Sequence, residues 1–530
     1  MSDYGSLSAL RQVNIMNKKL LQVLFVLSLL GISFHFLSER VNHRSFPSGD
    51  EGSWLSVAAE ASRGHGFTTR WLEHPFLTPY ALPRPDDYRY PGLVACLAIG
   101  FKLFGISYDT ALGVVTFLFS IYALLVYLVS RKFFGIRVAC VTMACTVFSL
   151  LQLYWNSIVY TEGLFGIVAA SLFLISAYVS ERRRLFWILT GVGIGVLYLV
   201  RPNGLLFGFG LAYLFLRSFR KNGKTAGNLI VGFVAMGIII GPWLLRNYVF
   251  FGNPFHIAGS AGLLRVSTDE PLTYSVFDFL KIHGALFPLK AVCIGSWNFI
   301  ITLHVFEHGL EIIPLVFFAL GIILRVPGYN AFIAAALLIS FLSCAYTSKA
   351  SWSGVRYFSS LLPFVYAYGF YCLFRMLDRI TTNRGRWTHY LLFFVVAGFS
   401  LAPVFYPHRY YERTFKTMPL VHRNFDTHVR MLAARLSNHD AYLANKMAQV
   451  NFLTEYNCVG MQQFFDSTNV GRALCQFSPK LLVVTPDEEK EPKMRAIMRE
   501  IERKNCTLEK TDSTEMCYYY LISASDCLRK

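Results

Sequence analysis

Apolar stretches of membrane-crossing length recur along most of this chain, and that recurrence limits its possible folds more than any other feature. A spanning helix needs about 20 predominantly apolar residues. Stretches near that length lie at 20–37, 108–130, 138–154, 160–179, 185–200, 204–216 and 229–245, then at 309–324, 331–346, 358–374 and 390–405. These give about eleven spans. The run 91–105 is short and follows Tyr-Pro, so it reads as interfacial or re-entrant, and 291–306 is the doubtful segment. Composition agrees: 54% of residues are hydrophobic and only 15% charged, against about 25% charged in soluble domains. The expected fold class is mainly α, a polytopic membrane helix bundle.

The formal net charge of +18 could point to nucleic acid, but the position of the charge argues otherwise. With the N-terminus inside, alternate loops hold Arg131/Lys132/Arg137, Arg182/Arg183/Arg184, Arg217/Arg220/Lys221/Lys224, Arg325 and Arg375/Arg379/Arg384/Arg386. That is the positive-inside pattern, and it excludes nucleic acid as the reason for the surplus. Residues 20–37 follow Arg11, Lys18 and Lys19 with no small-residue cleavage site after them, so a retained signal-anchor is expected. The expected placement is a multi-pass plasma-membrane protein with a cytoplasmic N-terminus.

Three regions then lie outside: the first loop (38–107), a second loop (247–307) and the tail. The division expected is a membrane domain over 1–406 and a soluble extracytoplasmic domain over 407–530. In the tail, 441–445, 458–462, 481–485 and 516–522 read as strands, and 425–436 and 494–501 as helices, which suggests a small α/β domain. The eleven cysteines show no metal-binding spacing. Cys458, Cys475, Cys506, Cys517 and Cys527 fall in the tail, where an outer location permits a disulfide.

Chemistry is expected just after the first stretch, at Ser48-Gly49-Asp50-Glu51-Gly52-Ser53-Trp54. Ser48 and Glu51 have capping-box spacing, and Trp54, Leu55, Ala58 and Ala61 recur on one helical face. This predicts a short interfacial helix whose acidic end faces a cavity. The competing reading is that Asp50 and Glu51 only complement the helix dipole. Further ionisable residues collect at the same outer boundary: Glu162, Arg201, Arg246, Lys349 and Arg356. Such residues at membrane depth are costly and commonly functional, although Arg201 and Arg246 could be interfacial anchors. Together they suit an anionic lipid headgroup.

Several motifs follow one another in order: Asp50-Glu51, Arg63-Gly64-His65-Gly66, Arg89-Tyr90-Pro91-Gly92, Glu162, the stretch 191–202, Pro242-Trp243 with Arg246-Asn247, Phe251-Gly252-Asn253-Pro254, and Arg356-Tyr357 with Pro363. In this set the chain resembles the class C glycosyltransferases, membrane enzymes that use polyprenyl-phosphate-linked sugars. More narrowly, it resembles bacterial relatives of the protein O-mannosyltransferases and of the lipid A aminoarabinose transferase. The resemblance implies transfer on the outer face from a polyprenyl-phosphate-linked sugar donor to a lipid, glycan or protein acceptor, among membrane lipids.

It also implies roles. Asp50 is the expected general base toward the acceptor hydroxyl. Glu51 is to orient it, bind a metal with it or cap the helix. Arg201, Arg246, Lys349 and Arg356 are the expected donor-phosphate ligands, since a phosphate leaving group needs cations rather than a proton donor. His65, Tyr90, Glu162 and Tyr357 are expected to line the substrate site. A single base implies inversion at the anomeric carbon. No cofactor is required by this reading. A divalent metal is possible, because His65 and His74 share the loop with Asp50, Glu51, Glu73, Asp86 and Asp87, but no motif defines its site. Glu73, Asp86 and Asp87 are all open as a second acid. The alternatives are a transporter or flippase of a lipid-linked or anionic solute, and a non-catalytic scaffold that retains the fold.

Overall fold

A computed structural model describes residues 31, 47, 49–72, 82–219, 226–256, 276–284, 286–307, 311–348, 355–380, 425–437, 440–461, 470, 473–474, 476–504, 506–513 and 517–524. The segment before the first long apolar helix supplies helix α1 (Gly49–Ser62) and strands β1 (Thr68–Thr69), β2 (Trp71–Leu72) and β3 (Arg84–Pro85). Then follow α2 (Pro91–Phe104), α3 (Tyr108–Phe134), α4 (Ile136–Phe148), α5 (Leu150–Asn156), α6 (Glu162–Tyr178) and α7 (Arg184–Val200). A 3-10 turn over Pro202–Phe207 leads to α8 (Gly208–Phe219), α9 (Ala226–Phe251), α10 (Val276–His283) and α11 (Phe287–Glu307). The bundle closes with α12 (Ile312–Ile323), α13 (Ala331–Thr347), α14 (Arg356–Ser359) and α15 (Leu362–Ile380).

Two described helices, over Tyr108–Phe134 and Gly227–Phe251, are long and apolar enough to cross a membrane, and α4 with α5 makes a third if that pair, bent by 57°, is one span. The other apolar stretches appear as shorter helices. Stretches 20–37 and 390–405 fall outside the described residues, apart from Gly31. The breaks have local causes. Pro202 removes a backbone donor, so α7 stops at Val200 and its successor starts with a 3-10 turn. Ser149 caps α5 through the Gln152 amide and sets the bend after α4. The doubtful run 291–306 is helical, inside the 21 residues of α11.

Close helix contacts fix the bundle where the site needs it. A Cβ on Gly191 of α7 would collide with the Gly232 carbonyl of α9, and one on Gly195 with Ile239. These glycines let α7 lie against α9 and so set the height of Arg201, which follows α7 directly.

The tail supplies α16 (Phe425–Ala433), β4 (Ala441–Ala444), β5 (Asn457–Gly460), β6 (Leu481–Val484), α17 (Pro486–Lys490), α18 (Pro492–Arg503), β7 (Cys506–Ser513) and β8 (Tyr518–Ala524). Its mixed sheet has the order β2-β5-β4-β6-β8-β7. The β2, β5, β4 and β6 strands run parallel, and β8 and β7 antiparallel. One strand of this sheet, β2, therefore comes from the segment that follows α1. Alternate residues face opposite layers, as the two-residue strand period requires. Leu443, Val459, Leu482 and Val484 pack on Met494, Ile497 and Ile501 of α18. Tyr442, Ala444, Cys458, Leu481 and Val483 share a core with Leu55, Val57, Ala58 and Ala59 of α1 and with Leu93 and Leu97 of α2.

Helix α1 thus differs from the expected amphipathic one. Every residue from Glu51 to Glu60 is buried, because α2 covers one side and the sheet layer the other. Its serines and alanines allow both layers to approach closely. Ser48, the expected cap, lies outside the described residues.

Candidate active site

Asp50 stands in the first turn of α1, half-buried at the edge of a cavity of about 480 Å³. Its two carboxylate oxygens take separate cations: Oδ1 accepts from Arg89 Nη2 at 3.3 Å and Oδ2 from Arg356 Nη1 at 3.2 Å. Burial pushes the Asp50 carboxyl up, but the Arg89 and Arg356 guanidiniums outweigh it and hold the pKa at about 2. Arg89 is fixed in turn: its Nε donates to Ser53 Oγ one turn along α1, and its guanidinium lies over the Tyr88 and Trp54 rings.

The same cavity is walled by Tyr90, Arg201, Arg356 and Tyr357, with Tyr160 and Asn203 between them. Arg201 is buried at 6% exposure. It pairs with Glu162 and donates through Nε to Thr161, while its Nη1 has no hydrogen-bond partner among the described residues. Asn203 Oδ1 is likewise buried without a partner there. Glu162, at 1% exposure, also lies 4.0 Å from Arg356 Nε. Arg356 sits 4.7 Å over the Tyr160 ring centre and donates to the Tyr357 hydroxyl at 3.4 Å. Charge here is therefore an alternation: carboxylate, guanidinium, carboxylate, guanidinium, from Asp50 through Arg356 and Glu162 to Arg201.

Four expected site residues are not brought into this group or fall outside the description. Glu51 is fully buried and turned away from Asp50, accepting from the Tyr108 hydroxyl at 3.0 Å and the Val159 amide at 2.8 Å. It ties α1 to the turn before α6. Arg246 packs over Trp243, Phe250 and Phe251 and donates to the Phe67 carbonyl at 3.1 Å, so it braces the segment after α1 from beside the cavity. His65 hydrogen-bonds Glu60 at 2.9 Å, at the other end of α1. Lys349 lies outside the described residues, as do Glu73 and His74.

Asp86 and Asp87 hold the approach to Arg89. Asp87 takes Arg84 at 2.8 Å and His256 at 3.4 Å, and Asp86 accepts from the Arg89 amide at 2.7 Å and the Tyr88 amide at 3.2 Å. Burial, then the neighbouring Asp87 charge, push the Asp86 carboxyl up. Among the described residues no group of three His, Cys, Asp or Glu side chains could hold a metal ion. Glu51, already engaged elsewhere, does not join Asp50 as a second ligand.

Sequence reasoning did not single out Arg89, which touches Asp50. Its signal was the Arg-Tyr-Pro-Gly motif, which places it two residues before the proline that opens α2.

The sequence profile of the family described as dolichyl-phosphate-mannose-protein mannosyltransferase matches residues 88–245, which contain Arg89, Tyr90, Glu162 and Arg201. A comparison with curated protein sequences finds no match. Among solved structures, the chain is similar to ArnT from Cupriavidus metallidurans bound to undecaprenyl phosphate, at 14% identity and a TM-score of 0.56, over 96% of this chain and 98% of that one. It is also similar to the Archaeoglobus fulgidus oligosaccharyltransferase tethered with an acceptor peptide, at 12% identity and a TM-score of 0.53, over 94% of this chain and 74% of that one. At these identities the structures speak to the fold alone, and the profile covers less than a third of the chain. The chain is thus an integral membrane protein with the fold of these lipid-phosphate-dependent glycosyltransferases, and over residues 88–245 it is similar in sequence to the dolichyl-phosphate-mannose-protein mannosyltransferase family.

Proposed function

We propose that this enzyme moves a sugar from a polyprenyl phosphate to a hydroxyl of an extracytoplasmic acceptor, with Asp50 as general base. The observation that carries the reading is the Asp50 carboxylate, half-buried between two guanidiniums at a cavity that also receives a buried, incompletely partnered Arg201. A carboxylate beside guanidiniums that keep unused donors, Arg201 Nη1 and Arg356 Nε among the described residues, suits a reaction that takes a proton at one end and releases a phosphate at the other. That ArnT was solved with undecaprenyl phosphate supports a lipid phosphate as the ligand.

In the proposed step the acceptor oxygen attacks the anomeric carbon and passes its proton to Asp50. The bond from that carbon to the phosphate oxygen breaks with its electron pair staying on the lipid phosphate, beside Arg201 and Arg356. A single displacement inverts the anomeric centre. With its resting pKa near 2, Asp50 is a weak base until the donor arrives. A phosphate drawing on Arg356 weakens that cation's hold on Asp50 and raises its basicity where the donor is bound. Arg89, stacked on Trp54 and Tyr88, keeps the carboxylate oriented during the exchange.

The reading carries about eleven spans, an outer active site and a soluble outer domain over 407–530, and it leaves glycolipid, envelope glycan and protein side chain as acceptors. Purified enzyme tests it with a polyprenyl-phosphate sugar and envelope acceptors. Asp50→Asn is expected to lower transfer by about 10²–10⁴-fold. Transfer at the wild-type rate in this variant refutes Asp50 as the base.

A further inference from the structure

Two of the three acidic residues of helix α1, Asp50 and Glu60, have opposite surroundings. Asp50 at its start faces the cavity. Glu60, ten positions later, is 1% exposed and gathers three donors from the region just beyond the helix. Its Oε1 accepts from Arg63 Nη1 at 2.9 Å, and its Oε2 from His65 Nδ1 at 2.9 Å and Arg70 Nε at 3.1 Å.

The two arginines also reach into the tail. Arg63 Nη2 donates to the Phe452 carbonyl at 3.2 Å and Arg70 Nη1 to the Glu455 carbonyl at 3.0 Å. Immediately after Arg70, β2 joins the edge of the tail's sheet, with the Cys458 amide donating to the Arg70 carbonyl at 2.8 Å. Glu60 is thus the carboxylate that orients two guanidiniums onto tail carbonyls at the point where the segment after α1 becomes a strand of the tail's sheet. Arg–carboxylate geometry is planar and directional, so Glu60 sets where both forks point.

We propose that Glu60 is a positioning residue: it locks the tail onto the far end of α1 and thereby fixes where Asp50 stands in the cavity at the near end. The inference rests on the reading of Asp50 as the base. The leverage is geometric. Ten residues of helix span about 15 Å, so a tilt of about 4° pivoting at Glu60 moves Asp50 by about 1 Å. A misplacement of that size at a reacting group can cost about 10²-fold in rate. Asp50 is well placed to feel it, since its carboxylate is held by two cations from elements other than α1. Arg89 precedes α2 and Arg356 opens α14.

Full-length Glu60→Gln and Arg63→Met, each beside Asp50→Asn, test the proposal by steady-state transfer and thermal unfolding. Glutamine keeps the shape of Glu60 and removes the charge that orients the arginines. Arg63→Met leaves Glu60 paired with Arg70 and removes one bridge to the tail, so it reports even if Glu60→Gln does not fold. The expected result is a kcat reduced about tenfold or more in folded protein, with KM for the lipid-linked donor changed less than about twofold, because the donor phosphate is held from elements other than α1. An unchanged kcat in the folded variants, or a loss matched by an equal rise in KM, overturns the proposal. If Asp50→Asn is inactive while the Glu60 and Arg63 variants keep wild-type kcat, the positioning role alone falls. If Asp50→Asn transfers normally, the base assignment falls and takes this inference with it.

Discussion

Arg356 lies 3.2 Å from Asp50 and 4.0 Å from Glu162, so one guanidinium serves both carboxylates. This sharing has a consequence in pH. The Asp50 carboxyl sits at about 2, below its ordinary value of 3.8, so its ion pairs stabilise the fold at neutral pH. That contribution is lost only as pH falls from the ordinary range down through the folded-state value. In the free enzyme Asp50 therefore stays ionised across the working range. Removing Arg356 moves the balance upward, because burial raises the carboxyl and Arg89 is then the cation left to oppose it. Arg356→Met is expected to move the acidic limb of kcat/KM to higher pH, since that profile reports the free enzyme. A pH–rate series on both proteins checks the shift, and an acidic limb that stays in place contradicts it. Glu51 shows how little adjacency says about role. One residue from Asp50, it spends its carboxylate on the Tyr108 hydroxyl and the Val159 amide.

Among the elements, α7 carries the burden of placing Arg201, and it does so by lying close to α9 through glycine. Gly191→Ala is expected to destabilise the protein by about 1–3 kcal/mol, the usual range for overpacking, because its Cβ would meet the Gly232 backbone. Gly113→Ala, with nothing within 4 Å of the added carbon, is expected to stabilise slightly through lost chain entropy. Thermal unfolding of the two variants side by side separates contact from helix propensity, and equal melting temperatures contradict the contact.

Elements also show what the sequence made legible. Helices such as α3, α6, α7 and α13 could be read because long apolar runs mark segments that leave water, whether they face protein or lipid. The strands at 441–444 and 481–484 could be read because their flanks are polar. Strand β2 could not, as two residues are shorter than any periodicity, and β7 is an edge strand rich in charge. The burial of α1 on both sides was hidden because its second neighbour arrives from the tail, almost 400 residues further along the chain.

For the whole molecule, the membrane bundle and the tail meet around α1. The helix that brings Asp50 to the cavity is also the layer on which the tail's sheet packs, and the segment after it gives that sheet a strand. Asp50, Arg201 and Arg356 could be singled out from sequence because charge at membrane depth is conspicuous. Their assembly with Arg89 could not, since the pairing joins residues 39 and 306 positions apart. The account's central claim is that this assembly divides labour, the carboxylate taking the proton and the guanidiniums the phosphate. The most direct measurement is the affinity of purified Asp50→Asn for a polyprenyl phosphate, taken beside wild type. The account predicts binding at least as tight as wild type in a variant that no longer transfers sugar, because the competing carboxylate charge is gone and the cations remain. Binding weakened about tenfold or more, a loss of about 1.4 kcal/mol, would contradict it and make Asp50 a donor-binding residue instead.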